Sequence, residues 1–231
     1  MATRKEKNWL PLEANPDILT EYCRKLGLPE TVGFHDILST ESWALDMLPN
    51  PVYSIVLLFP ISPASELERA ATSPTDFSAE CSYFMTQKVG NACGTIAVLH
   101  AMLNLHADMT LESLPFSYVS RMYESTKSLS PTERGDWLEA DVEIESAHQA
   151  TESLGQSMAP SDTEVDTHFI AFVLGNDGKT VLELDGRRPG PVVRGLCDDK
   201  NEFPEKVLDI IKTEFMDRNP GDIRFSLLGL A

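Results

Sequence analysis

The chain has 231 residues, 42% hydrophobic and 24% charged, which is enough apolar material for a sizeable core. Its 36 acidic side chains face 19 basic ones, a formal charge of −17 that disfavours nucleic acid and anionic membrane and attracts basic partners. No apolar run approaches the roughly 20 residues of a membrane span, and Cys23, Cys81, Cys93 and Cys197 are too scattered for a disulfide framework or a zinc site.

Met1 to Trp9 is polar and basic and lacks the apolar core of a signal peptide, so the expected location is the cytosol or nucleus. The first helix is marked at both ends. Asn15 can cap it, Pro16 suits its first position and Gly27 its stop. Ile18, Tyr22 and Leu26 recur on one face, with a structural Cys23 beside it. Val52 to Pro60, VYSIVLLFP, reads as a strand buried on both faces. Cys93 to His106 reads as an apolar helix, and Leu111 to Leu129 as helical in part. Ser130-Pro131 starts a helix that reaches about Gln149. Ala150 to Asp166 is polar and aperiodic: a long loop, either functional or a disordered excursion.

Two strands follow, Thr167 to Leu174 and Lys179 to Asp185, joined by the turn signal Gly175-Asn176-Asp177-Gly178. Phe203 to Arg218 reads as a helix and Ile223 to Leu230 as a final strand. No repeat or linker divides the chain, so residues 1–231 are read as one domain. Mixed elements with an antiparallel pair argue for α+β rather than a doubly wound sheet.

The hairpin carries the first chemical signal. If Gly175 pairs with Gly178, His168 lies directly opposite Asp185. If the turn is Asp177-Gly178, the two are diagonal on the same face. A carboxylate beside an imidazole fixes its tautomer and favours its protonated form. The plainer alternative is a polar pair that only stabilises the sheet.

Cys93 carries the second. It opens an apolar helix, where free N–H groups and the helix dipole favour a thiolate. Gly90 and Gly94 flank it and allow close approach. Gln87, six residues earlier, can donate to an oxyanion together with the Cys93 N–H. Taken singly, a Cys before an apolar helix is usually a small core residue, Asn91 reads as a helix cap and His100 as a buried core histidine. A Cys at a helix start, an upstream Gln and a later His/Asp hairpin together make a papain-like arrangement.

The segments NWLPLEANP, SIVLLFPI, YFMTQKVGNACGTIAVLHAMLN, DTHFIAFV, LELDGRRPGP and MDRNPGDIRFSLL occur in this order. With them the chain resembles the ubiquitin carboxyl-terminal hydrolases, specifically their short, single-domain cytosolic members, over nearly its whole length. The resemblance implies Cys93 as nucleophile, His168 as general base and acid, Asp185 as the residue orienting it, and Gln87 as oxyanion donor. It implies an α+β fold: a papain-like cysteine-protease α/β/α sandwich around a central, mostly antiparallel sheet, with a knotted backbone. The loop over 150–166 matches the family's active-site crossover loop, a filter for leaving groups. Pro11, Leu12, Glu13 and Asp36 match positions that hold the basic tail of ubiquitin, and Arg218 and Ile223 match further contacts. The charge of −17 would then steer that tail. The crossover loop and the segment around Glu139 to Glu145 depart most from the family pattern. The implied activity is a deubiquitinating thiol hydrolase, a monomer without metal or cofactor. The alternatives are a hydrolase for a ubiquitin-like modifier such as NEDD8, or a non-catalytic ubiquitin-binding protein.

Overall fold

The computed structural model describes residues 7–71, 82–105, 116–155 and 165–231. Local chemistry sets the first helix, α1 (Pro16–Leu26). The Asn15 side chain accepts the N–H groups of Asp17 and Ile18 at 3.0 and 3.2 Å, and Pro16 fills the first turn. Gly27 ends it with φ 118°, and a Cβ there would lie 2.3 Å from Ser117 Cβ. Leu19, Tyr22, Cys23 and Leu26 bury its inner face.

The short strand β1 (Phe34–Asp36), a 3-10 turn (Ser42–Met47), β2 (Ser54–Pro60) and α2 (Pro63–Ala71) follow. Next come α3 (Cys93–Leu103), α4 (Tyr118–Thr126), α5 (Pro131–Ala140) and α6 (Val142–Glu152). The hairpin β3 (Thr167–Leu174) and β4 (Thr180–Leu184) leads to β5 (Val192–Leu196), α7 (Phe203–Ile211) and β6 (Ser226–Leu230). Among the described residues, these strands form one sheet in the order β1-β6-β2-β3-β4-β5, with every neighbouring pair antiparallel.

Helices cover both faces, as the alternation along the central strands requires. Ile55, Leu57 and Phe59 of β2 pair with Phe172, Ile170 and His168 of β3. These apolar side chains pack against Val207, Leu208 and Ile211 of α7. The opposite face presents Val56, Phe169 and Ala171 to α3. All of α3 is buried, which marks it as a core helix rather than an amphipathic one.

Several boundaries differ from the sequence expectation. The helix expected from Ser130 to Gln149 is two helices. Ser130 and Glu133 form a capping box that opens α5. Asp141 ends α5 and caps α6 by accepting the N–H groups of Glu143 and Ile144 at 2.8 and 3.0 Å. An Asp side chain that captures these donors competes with helix continuation. The helix expected to reach His106 stops at Leu103, and the one expected to reach Arg218 turns π-helical over Lys212–Met216. The strands β2 and β6 begin later than expected, at Ser54 and Ser226. Residues 106–115 and 156–164, which include His106 and most of the expected crossover loop, lie outside the described residues, as does Cys81.

Two buried histidines tie these layers together. His100 of α3 accepts the Met85 N–H at Nε2 (3.1 Å) and stacks on Phe84 at 5.0 Å. His148 of α6 donates from Nε2 to the Leu10 carbonyl at 2.8 Å, so Nδ1 accepts from Thr95 Oγ1, also at 2.8 Å. Thr95 in turn meets the Tyr22 hydroxyl at 3.0 Å. Burial pushes both imidazoles down to about 4.

Unfolded histidine titrates near 6.5, so the unfolded chain binds more protons between about pH 6.5 and 4. The stabilisation is complete above that window and is lost as pH falls through it. Each histidine contributes at most about 3 kcal/mol. Urea midpoints should therefore fall steeply between pH 7 and 5. His148→Gln should flatten that fall, and an unchanged slope would rule out His148 as its source.

Candidate active site

The start of α3 is shaped by the residues before it. Asn91 takes a left-handed φ of 58°, a region that asparagine tolerates better than most residues. It is therefore a turn residue, while Ala92 occupies the cap without a side-chain hydrogen bond. Cys93 is the first helical residue and is buried. A Cβ on Gly90 would fall 1.5 Å from Asn8 Oδ1, and one on Gly94 would lie 3.1 Å from Leu12 Cβ. These two glycines let the N-terminal segment close on the cysteine.

The β3–β4 register sets Ala171 opposite Leu184 and Phe172 opposite Glu183. This is the Asp177-Gly178 alternative, in which His168 and Asp185 are diagonal. His168 Nε2 donates to Asp185 Oδ1 at 2.7 Å. The ring is fully buried and meets the Phe59 ring edge-on at 5.9 Å. That leaves Nδ1 for Cys93. Nδ1 is buried without a well-formed hydrogen bond, yet the thiol lies close enough for the two groups to shift each other's proton affinity.

Burial alone would push the Cys93 thiol up. The contact with His168, its positive charge, the Phe169 N–H and Arg187 overcome this and hold the thiol below its ordinary value. Burial alone would push His168 down. Its hydrogen bond to Asp185 and its contact with Cys93 raise it to about 9 instead. Burial would likewise raise Asp185, but His168 and Arg69 hold it well below the usual carboxylate range. The arrangement favours a thiolate–imidazolium pair, the state needed for nucleophilic attack.

Gln87 lies in an extended segment strung between two neighbours. Thr86 N–H donates to the Pro131 carbonyl at 3.0 Å, and Gln87 N–H to the Gly186 carbonyl at 2.7 Å. His100, a core histidine as the sequence suggested, holds the same segment through Met85. The Gln87 amide donates to the Val89 carbonyl at 2.9 Å. That bond uses one N–H and leaves the second for a developing oxyanion. Gly186 has to be glycine here: a Cβ would sit 2.8 Å from Ile96 Cγ2 and 3.0 Å from Gln87 Cβ.

Sequence reasoning missed what stands behind Asp185. Glu183, fully buried and two residues earlier on the same face, accepts from Arg69 Nη2 at 2.9 Å and from Arg194 Nε at 2.7 Å. Arg69 Nη2 also donates to Asp185 Oδ2 at 2.7 Å, and the Arg187 N–H to Asp185 Oδ1 at 2.9 Å. Arg69 stacks over Phe59 and Phe215, 4.8 and 5.5 Å from their centroids. The available signal was an acidic pair at strand spacing followed by arginines, in LELDGRRPGPVVR.

The remaining candidates lie around this centre. Leu12 is buried against Gly94, with half-buried Pro11 and Glu13 on either side. The Glu13 carboxylate lies 3.1 Å from where a Gly155 Cβ would be, beside the start of the expected crossover loop. Asp36 is exposed at the end of β1, opposite Leu228. Arg218 pairs with Glu214 at 2.8 Å, and Ile223 is 91% exposed.

A family model described as ubiquitin carboxyl-terminal hydrolase, family 1, matches residues 9–216. The chain is 36% identical over 239 residues to ubiquitin carboxyl-terminal hydrolase 3 of Arabidopsis thaliana, covering 100% of this chain and 99% of that one. It is 33% identical over 223 residues to ubiquitin carboxyl-terminal hydrolase isozyme L1 of Rattus norvegicus, covering 95% and 96%. The fold is similar to the UCH37 catalytic domain of Trichinella spiralis bound to ubiquitin vinyl methyl ester. There the TM-score is 0.78 at 24% identity, covering 97% of this chain and 95% of that one.

Glu183→Gln keeps the shape but leaves Arg69 and Arg194 without their shared charge. It should cost about 3–5 kcal/mol, as breaking a buried ion pair does. Urea unfolding at pH 7 measures this, and a loss below about 1 kcal/mol would show that the arginines find other partners.

Proposed function

Because the chain belongs to ubiquitin carboxyl-terminal hydrolase family 1, we propose that it releases small adducts or peptides from the C-terminal glycine of ubiquitin. The observation that carries the mechanism is the 2.7 Å bond from His168 Nε2 to Asp185, which turns Nδ1 toward Cys93. The Cys93 thiolate attacks the terminal glycine carbonyl. The Cys93 N–H and the second Gln87 N–H hold the oxyanion. His168 gives its proton to the leaving amine or thiol, and an acyl-enzyme remains. His168 then takes a proton from water, hydroxide attacks the thioester, and thiol and carboxylate part. Asp185 keeps the ring in the required tautomer throughout.

In this reading Pro11, Leu12, Glu13 and Asp36 hold the basic tail, Arg218 and Ile223 touch the body of ubiquitin, and the loop over 150–166 screens leaving groups. The protein acts as a monomer in the cytosol or nucleus, and NEDD8 is a second substrate to be tested in parallel. A purely binding role fits poorly with a His–Asp pair poised over an acidified thiol.

The decisive test is labelling with ubiquitin bearing a C-terminal vinyl methyl ester, with the adduct mapped by mass spectrometry. A single adduct on Cys93, absent in Cys93→Ala, is expected. An adduct on Cys23 or Cys197, or none on a folded protein, would overturn the reading. Faster labelling by the NEDD8 probe would reassign the preferred modifier.

The pH profile follows from the same pair. The imidazolium is lost as pH rises through about 9, so kcat/KM should show an alkaline limb there. Asp185→Asn should move that limb to lower pH and reduce the rate by on the order of 10⁴-fold, by analogy with serine-protease triads. A near-normal rate would make the hairpin pair structural only.

A further inference from the structure

On the α7 side of the sheet, behind Asp185, lies a cavity of about 490 Å³ lined by Arg69, Arg188, Arg194 and Arg218. That size falls within the range of small-molecule sites. Four of the chain's ten arginines therefore surround one hollow in a protein of charge −17. Glu214 also lines it, and Glu183 and Asp185 stand behind its wall. With Glu66, whose Oε1 lies 4.0 Å from Arg69 Nε, four carboxylates meet the four guanidinium groups, so what the cavity offers an anion is a set of fixed donor forks rather than an excess of positive charge.

The lining is also preorganised. Arg69 is clamped over Phe59 and Phe215, which line the same cavity. Arg194 is fixed by two contacts to Glu183, at 2.7 and 2.6 Å. Guanidinium groups held in this way lose little further freedom on binding, and their planar forks match phosphoryl oxygens. Ser62 and Ser65 bring hydroxyls and the positive end of α2 to the same cavity. The hydrolase reaction uses none of these donors directly.

We propose that this cavity is a binding site for a small phosphate-class polyanion carrying at least two phosphoryl groups. The site is separate from the Cys93 centre and joined to it through Arg69, which touches both the cavity and Asp185.

The test is isothermal titration of the full chain with inorganic pyrophosphate, inorganic phosphate and sulfate at matched ionic strength. Saturable one-to-one binding of pyrophosphate is expected, tighter than that of either other anion. Ser65→Glu places a carboxylate at the third position of α2, where glutamate suits the helix start and leaves the fold intact. This variant should weaken pyrophosphate at least tenfold, and Arg194→Gln should do the same where circular dichroism shows it folded. Absence of saturable binding, equal affinity for all three anions, or undiminished binding in Ser65→Glu would overturn the proposal. The readout is binding alone, so its failure is distinct from failure of the hydrolase reading.

Discussion

The active centre rests on two carboxylates buried two residues apart on one face of a strand. Glu183 is fully buried and Asp185 nearly so. Buried charges of like sign at this spacing are tolerable only when cations meet them. Arg69 meets both, Arg194 meets Glu183, and the imidazolium of His168 completes the compensation. The interior is therefore charged by design, and its apolar neighbours serve as walls. Phe59 shows this most directly, because its ring carries Arg69 and also meets His168 in a T-shaped pair.

The reactivity of Cys93 is the far end of the same chain of charge. A thiol buried this deeply is inert unless a cation is held beside it. His168 is that cation because Asp185 holds it charged, and Asp185 stays charged because Arg69 stands behind it. The backbone adds a mechanical link. The bond from Gln87 N–H to the Gly186 carbonyl ties Gln87, the proposed oxyanion donor, to the turn that follows Asp185. Electrostatic and positional requirements thus converge on the residues 183 to 187.

What the sequence revealed followed the range of the forces involved. Asn15, Pro16 and Gly27 act on their immediate neighbours, so both ends of α1 were legible, while its buried face turned out to include Leu19 where Ile18 was expected. Turn chemistry narrowed the hairpin to two registers, and only the folded sheet chose between them. The resemblance pointed to Cys93, His168, Asp185 and Gln87 because their motifs are specific. Arg69 could not be read, since its partners lie 114 and 116 residues away. Glu183 stood in plain view within LELDG, but its burial is a tertiary fact. Asp141 hid among good helix formers, and β1 is too short, at three residues, to leave a periodic trace. Asn91 looked like a cap because the helix begins one residue later than its side chain suggests.

The span of these contacts bears on how the protein comes to life. Arg69 reaches Asp185 across 116 residues, and His148 reaches Leu10 across 138. Loops of that length close late and slowly, because their entropy is spent before any contact rewards it. During synthesis Cys93, the proposed nucleophile, leaves the ribosome well before His168, Asp185 and the strands that align them. A nascent or partly folded chain thus carries only an ordinary thiol. Catalytic competence arrives with the final closure of the sheet, so the enzyme's own activity reports that folding is complete.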